Sequence, residues 1–541
     1  MENVLYYGDN LDILRRHLKK DESVDLIYLD PPFKSNQNYN VLFKEKDGTR
    51  AASQIQAFED TWTWDQEDEA VYADLVTAGG KVADVLQAFR TFLGPCDMLA
   101  YLVMMAPRLV EMRRVLKSTG SIYLHCDPAA SHYLKMLMDA VFGPENFRNE
   151  IVWRRSHPKG HAFTRFASTH DVILTYAKVS GRTKWNPMYA PYDPENAAKQ
   201  YALVDQDGRR YQLTSLLNPN PDRPNLTYEF KGVTKVWRWT RDRMMEQDAM
   251  GRIVVPKGGK SIPRYKRYLD EQEGVPIGDW WGDIEIVSGN ERLGYPTQKP
   301  EPLLERIIRA SSNEGDMVLD PFCGCGTTVA AAQKLNRRWI GIDITHLAIT
   351  LMKRRLKDTF GESAQFEVVG EPVSVPDAAA LAAADPYQFQ WWALGLVGAR
   401  PVEGKKGADK GIDGKIVYQG DEAGKFDSVI LSVKAGHVTA NHVRDLRGVV
   451  EREKAAIGVL VSMEDPTGPM QSEAVTAGFH ESRMWNRRYA KIQLLTVADL
   501  LAGKQIDMPP IRQVGATFKK APKATRPKVE TADLPGLGDG E

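Results

Sequence analysis

The residues Asp30-Pro31-Pro32-Phe33 close an apolar run, DLIYLD, that reads as a β-strand. Two consecutive prolines donate no backbone hydrogen bond and cannot extend a sheet, so the strand must stop there and leave a carboxylate at its end. A carboxylate beside a rigid backbone carbonyl makes a pair of fixed hydrogen-bond acceptors. Such a pair suits an amino group conjugated to an aromatic ring, whose nitrogen lone pair is delocalised and therefore a poor nucleophile. Holding both N–H hydrogens pushes that nitrogen toward a tetrahedral shape and frees the lone pair. Asp30 and the Pro31 carbonyl are the candidate acceptors, Pro32 stiffens the loop, and Phe33 offers a face on which an extruded base can stack. Acceptors placed in advance where positive charge develops are electrostatic preorganisation.

A second cluster can seat the electrophile. In MVLDPFCGCGTTVAAAQKL a strand ends at Asp320, Phe322 and the glycines Gly324 and Gly326 follow, and a helix begins near Thr327. The glycines let a ligand approach the backbone, and the helix start presents free N–H groups. About twenty residues on, the strand WIGID ends in Asp343, where a carboxylate can hold ribose hydroxyls. Val329 stands where a dinucleotide site wants its third glycine, and no Gly-Lys-Ser/Thr phosphate loop is present. S-adenosylmethionine is the common ligand left for such a loop. Cys323 and Cys325 have no second thiol pair and read as small side chains in a tight turn.

These clusters need a scaffold that brings strand ends together. From Val4 to about Gly143 apolar strands alternate with amphipathic helices, and the alternation resumes at DMVLDPF and WIGID, which argues a doubly wound α/β sheet written in two pieces. Residues 1–148 and 292–366 are its halves, and the irregular, aromatic and basic residues 149–291 form an insert. Residues 367–385 read as a linker, 386–505 as a smaller α/β domain, and 506–541 as a disordered tail. At 541 residues two or three domains are expected. Basic and acidic residues balance at 71 each, so any nucleic-acid surface must be a local patch. Four cysteines, no apolar leader and no membrane-length apolar run point to a reducing cytoplasm. Asp127-Pro128 reads as a helix cap, His125 and Cys126 as strand-end packing, and Leu303, Leu304, Ile307 and Ile308 as one buried helix face.

Asp30-Pro31-Pro32-Phe33 together with Asp320-Pro321-Phe322-Cys323-Gly324-Cys325-Gly326-Thr327 resembles the amino-methylating DNA methyltransferases in the permuted order of their β group. The likeness covers roughly residues 1–360. It implies a Rossmann-like methyltransferase fold, S-adenosylmethionine as cofactor and double-stranded DNA as substrate. It places Asp9 of Gly8-Asp9-Asn10 by the cofactor adenine, where a plain helix cap is the competing reading. It also places Thr297, Gln298 and Lys299 of Tyr295-Pro296-Thr297-Gln298-Lys299-Pro300 along the methionine end. Asp-Pro-Pro-Phe leans to adenine N6, with cytosine N4 as the alternative, since both amino groups need the same chemistry. Glutamine methylases carry Asn where this chain has Asp30. A homodimer is implied only by the family.

The insert mixes cations with aromatics in IVWRRSHPKGHAFTRF, VWRWTRDR and PRYKRYL, as DNA-tracking surfaces do. Arg154, Arg155, Arg264, Lys266 and Arg267 are the expected DNA contacts, whereas Trp237 and Trp239 are expected to be structural. The C-terminal unit resembles the Mrr-like branch of the PD-(D/E)xK nucleases. That resemblance gives Asp413 a Mg²⁺ ion and Lys434 the phosphate charge, with Ser432 where an acid or Gln normally stands. A nuclease and a DNA-binding relic both remain open. The pairing reads as restriction and modification in one chain, with restriction or defence subunits as partners. The competing class is a nuclease or DNA-binding defence component whose methyltransferase part only recognises sites.

Overall fold

The computed structural model describes residues 2–32, 64, 66–158, 164–256, 261–293, 295, 297–402, 411–421, 426–510 and 521–523. Residues 1–186 and 279–541 form one compact unit, and residues 187–278 form a second.

The first unit is built on a nine-stranded sheet. Its strands are β1 (Val4–Tyr7), β2 (Val24–Leu29), β3 (Leu116–Cys126), β4 (Phe147–Arg154), β5 (His170–Ala177), β6 (Trp280–Trp281), β7 (Met317–Asp320), β8 (Arg338–Asp343) and β9 (Glu367–Val369). Their spatial order is β6-β4-β5-β3-β2-β7-β8-β1-β9. From β3 to β9 every pairing is parallel, while β5 runs antiparallel to both β3 and β4. The expected doubly wound α/β sheet is present, as a mixed sheet.

Buried strands such as β2, with all six residues buried, need helices over both faces. The helix α1 (Asn10–Arg16), the long α2 (Asp97–Val115) and α3 (Pro128–Phe142) pack Leu14, Leu102, Met105, Leu134 and Leu137 into one core with Ile27, Leu29 and Leu124. Asp127 caps α3 by accepting from the Ala130 N–H at 2.9 Å, with Pro128 as the first helical residue. In α4 (Glu301–Ser311), Leu303, Leu304, Ile307 and Ile308 are fully buried, as their spacing requires.

Two boundaries differ from the sequence expectation. Phe147–Arg154 and His170–Ala177 belong to the main sheet, because β4 and β5 extend it in antiparallel fashion beyond β3, and the compact insert begins only at Pro187. The expected linker is ordered: β9 adds a parallel edge strand to β1, and Val375–Ala384 is a helix capped by Ser374. Most of the expected tail lies outside the described residues.

The second unit carries a four-stranded antiparallel sheet centred on Arg210–Ser215 and Arg264–Tyr268. Trp237 is fully buried there among Leu216, Phe230 and Met244, and its Nε1 donates to the Tyr228 carbonyl at 2.8 Å. Both tryptophan rings are structural: Trp239 sits edge-on to Tyr265 at 4.8 Å.

The C-terminal part of the first unit is a five-stranded sheet with Gly414–Gln419, Phe426–Lys434 and Ile457–Ser462 at its centre. One face is covered by Pro386–Leu396 and the other by Ala440–Arg452. Pro386–Leu396 also packs on α6 (His346–Phe360), where Trp391 is buried with Leu347 and Leu351 against Tyr295. Gln388 Oε1 accepts the His346 N–H at 3.1 Å in the same contact.

Candidate active site

The two signature clusters meet because β2 and β7 are adjacent parallel strands, with Leu26 opposite Val318 and Ile27 opposite Leu319. Asp30 and Asp320 therefore emerge from the same edge of the sheet, at the point where the order of connection reverses. That edge is where open α/β sheets bind ligands. Pro31 is buried and Pro32 partly buried, while Phe33 lies outside the described residues.

The glycine loop is pinned on three sides. The Asn10 amide donates to the Pro321 carbonyl at 2.8 Å, the Cys323 N–H donates to Ile342 at 3.0 Å, and the Gly324 N–H donates to Asp343 Oδ2 at 2.9 Å. Gly324 has φ +50° and Gly326 has φ +74°, conformations that disfavour a side chain. A Cβ on Gly326 would lie 2.4 Å from Met352 Cγ, and one on Gly324 would lie 3.2 Å from the Tyr295 ring. After Gly326, α5 (Thr327–Lys334) begins with no side-chain cap on its N-terminus. Cys323 is part of this packing, since its Sγ contacts the Ile342 carbonyl at 3.0 Å and burial pushes its thiol up. Among the described residues no group of three or more His, Cys, Asp or Glu converges as a metal site.

Three carboxylates converge on the loop. Burial pushes Asp320 up to about 7 against hydrogen bonds from Thr328 and the Phe322 N–H, and the charges of Asp30 and Asp343 add to the rise. Burial likewise pushes Asp343 up to about 6, against hydrogen bonds from Thr345 and Gly324. Anionic charge is held here at a cost, which a ligand bearing positive charge would offset. A sulfonium compound with an α-amino group and a ribose fits this donor set. Ile344, half-exposed beside Asp343, leaves an apolar surface at the rim for a flat base.

The other expected cofactor residues are placed as follows. Asp9 Oδ1 caps α1 through the Leu11 and Asp12 N–H groups, while its Oδ2 pairs with Arg108. Arg108 in turn donates to Asn10 Oδ1 at 2.6 Å, which ties the Asp9 cap to the residue that holds the glycine loop. Gln298 spends its amide on its own loop, accepting from the Leu293 N–H and donating to the Glu291 carbonyl. Thr297 is half-buried in the same turn, and Thr327 Oγ1 accepts from the buried Arg355 at 3.0 Å. Lys299 reaches Asp30, with its Nζ donating to Asp30 Oδ2. Phe322 packs partly buried against the main core.

His125 is not simple strand-end packing. Its ring is fully buried, with Nδ1 2.9 Å from the Tyr28 hydroxyl and Nε2 3.2 Å from Asp171 Oδ2. With the carboxylate taking the Nε2 proton, Nδ1 accepts from the tyrosine. The missed residues Tyr28 and Asp171 had one legible signal, a polar side chain at the inward phase of an otherwise apolar strand.

Of the expected DNA contacts, Arg154 pairs with Glu285 at 3.0 Å and Arg155 with Asp171 at 3.1 Å. Arg155 is thereby tied to the His125 cluster. In the second unit Arg264, Lys266 and Arg267 lie on one strand, where Lys266 sits over the Tyr211 ring at 5.0 Å and Arg267 donates to Gln272 at 2.6 Å.

In the C-terminal domain Asp413, Ser432 and Lys434 come together beside a cavity of about 220 Å³ lined also by Phe389 and His437. Asp413 Oδ2 accepts from Ser432 Oγ at 3.1 Å and from the Val433 N–H at 2.7 Å, with Lys434 Nζ at 3.6 Å. A carboxylate so engaged, without a second acid beside it, does not make a Mg²⁺ site among the described residues. Glu403 and Asp409, the acids in the sequence that could compensate for Ser432, lie outside the described residues.

Comparison with known proteins follows the same division. Residues 24–354 match the family described as DNA methylase, and residues 388–502 match NACHT-associated inactive Restriction Endonuclease 1. The chain is 31% identical over 361 residues to the type II methyltransferase M.EcaI of Enterobacter cloacae, covering 65% of this chain and 69% of that protein. It is 25% identical over 388 residues to the type III restriction-modification enzyme StyLTI Mod subunit of Salmonella typhimurium, covering 68% of this chain and 55% of that protein. It is 28% identical over 248 residues to the DNA adenine methyltransferase YhdJ of Escherichia coli K12, covering 46% of this chain and 64% of that protein. The chain thus spans little more than half the length of its Mod-subunit relative. With the DNA methylase match extending from the strand before Asp30 to the helix after Asp343, the chain belongs to the DNA methylase family.

Proposed function

We propose that this protein is a site-specific DNA methyltransferase of a restriction-modification or phage-defence system that moves a methyl group from S-adenosylmethionine to adenine N6. The observation that carries the reading is the placement of Asp30, followed by a buried Pro31, directly after the strand that pairs with the one leading into the glycine loop. Bound S-adenosylmethionine supplies an electrophilic methyl on a sulfonium. The chain's own part is to hold the attacking nitrogen. Asp30 Oδ1 and the Pro31 carbonyl take the two amino hydrogens of a flipped adenine, and Asp343 and Gly324 frame the ribose and amino-acid ends of the cofactor. As the nitrogen gains its fourth substituent it becomes cationic, and Asp30 stabilises that charge and takes the proton. Neither a covalent enzyme intermediate nor a metal is required for this step.

The C-terminal domain is a non-cleaving member of this assembly. Support comes from the engagement of Asp413 by Ser432 and Val433 and from the likeness of residues 388–502 to an inactive endonuclease family. Double-stranded DNA is the substrate, and the relatives that are Mod subunits make restriction subunits the natural partners.

The test is product analysis. Protein incubated with methyl-labelled S-adenosylmethionine and unmethylated genomic DNA is followed by digestion and identification of the labelled nucleoside. N6-methyladenine supports the reading, N4-methylcytosine moves the target to cytosine, and unlabelled DNA removes the enzymatic claim.

A further inference from the structure

An acceptor carboxylate works only if its free oxygen is aimed, and something must fix the other one. Resting on the methyltransferase reading above, the group that does so is Lys299, two residues before α4. Its side chain is 13% exposed and donates to Asp30 Oδ2, leaving Oδ1 for a substrate hydrogen.

A second carboxylate stands on the same side of the sheet. Asp171 is 3% exposed, accepts from His125 Nε2 and pairs with Arg155. Burial would raise its carboxyl, but the hydrogen bond from His125 and the nearby charges of Lys299 and Arg155 hold it below the usual range. His125 in turn takes the Tyr28 hydroxyl, and Tyr28 lies two residues before Asp30, which directly follows the end of β2. Arg155 pairs with Asp171, and Lys299 pairs with Asp30. Opposite charges at such burial are retained only when each has its partner.

We infer that Lys299 is a positioning residue for the Asp30 carboxylate and not a ligand of the methyl donor. Removing its ammonium leaves Asp30 free to rotate about its last bond, so the amino group meets an acceptor of undefined direction. The cofactor cradle, made by Gly324, Gly326 and Asp343, is untouched by that change.

Two variants test this: K299M and K299R. Calorimetry with S-adenosylmethionine and single-turnover methylation at saturating genomic DNA are the two readouts, with melting temperature as the check on folding. K299M should keep its cofactor affinity within about twofold of the parent and lose about a hundredfold in single-turnover rate. K299R should recover about a tenth or more of the parent rate, because a guanidinium can still hold Oδ2. A K299M protein that loses more than about tenfold in cofactor affinity, or methylates at the parent rate, overturns the inference. If the parent itself methylates no DNA, the functional reading fails, while the calorimetric comparison still decides whether Lys299 holds the methyl donor.

Discussion

Leu319 lies opposite Ile27 on adjacent parallel strands, although nearly the whole methyltransferase sequence separates them. That one register brings the carboxylate after one strand, Asp30, to the same sheet edge as the one ending the other, Asp320. It also explains why the two motifs can stand in permuted order: only the adjacency of the strands matters to the site.

Asp320 and Asp343 make the cofactor-free protein pH-sensitive. Their folded pKa values, about 7 and about 6, lie above the ordinary carboxylate range because of burial. A raised pKa means that their protonated forms suit the folded state, so this contribution is full at low pH and is lost as pH rises through about 6 to 7. A cationic ligand reverses the effect. The rise in melting temperature on adding S-adenosylmethionine should be larger at pH 8 than at pH 5.5, and binding near neutral pH should release protons into the buffer, measurable by calorimetry in buffers of different ionisation enthalpy.

Gly326→Ala puts a methyl group at φ +74° and within 2.4 Å of Met352 Cγ. The left-handed backbone alone costs about 1–2 kcal/mol, and the loop must shift away from the cofactor. Denaturant unfolding should report a loss of that size. Cofactor affinity should fall by more than about tenfold, equivalent to about 1.4 kcal/mol.

Asp25 is 1% exposed at the start of β2, where it accepts from Lys117 at 2.7 Å, Lys184 at 2.9 Å and the Met317 N–H at 3.0 Å. Burial raises its carboxyl, yet these partners bring it below the usual range. A lowered carboxylate pKa contributes stability above the unfolded value that is lost as pH falls through the folded one. Asp25→Asn should therefore destabilise the protein at pH 7 by about 1–3 kcal/mol, since Lys117 loses its buried carboxylate while Lys184 keeps only Asp316, and the deficit should shrink in acid. Unfolding curves of both proteins at pH 7 and pH 3.5 would show it.

Mg²⁺ with unmethylated plasmid should give no cleavage above background, because Asp413 is already committed to Ser432 and Val433. Asp413→Ala should instead lower thermal stability by about 1–3 kcal/mol, the cost of leaving the Val433 N–H without its acceptor. Mg²⁺-dependent nicking abolished by that substitution would restore the nuclease reading.

Much of the scaffold was legible in the sequence because strand ends with Asp-Pro-Pro and Asp-Pro-Phe-x-Gly punctuation are local signals. The burial of Leu303, Leu304, Ile307 and Ile308 followed from spacing in the same way. What escaped was set by distant pairing. β4 and β5 carry basic and aromatic residues that resemble a surface module, and only their register with β3 makes them sheet. β9 looked like linker because three residues are too few to show alternation, and its pairing with β1 decides it. Lys299 and Asp30 meet across 269 positions, so motif context pointed Lys299 at the cofactor and could not show its ion pair with Asp30. Tyr28, His125 and Asp171 form a cluster from three strands, none of which announces it alone.

The central claim is that Asp30 holds the amino group that accepts the methyl. Asp30→Asn keeps the side-chain shape, so single-turnover methylation of unmethylated DNA by the parent and this variant, with cofactor binding measured in parallel, tests it most directly. Cofactor affinity close to the parent, N6-methyladenine from the parent and a rate at least about a hundredfold lower in the variant are the expected result. A variant that methylates adenine at the parent rate would contradict the account.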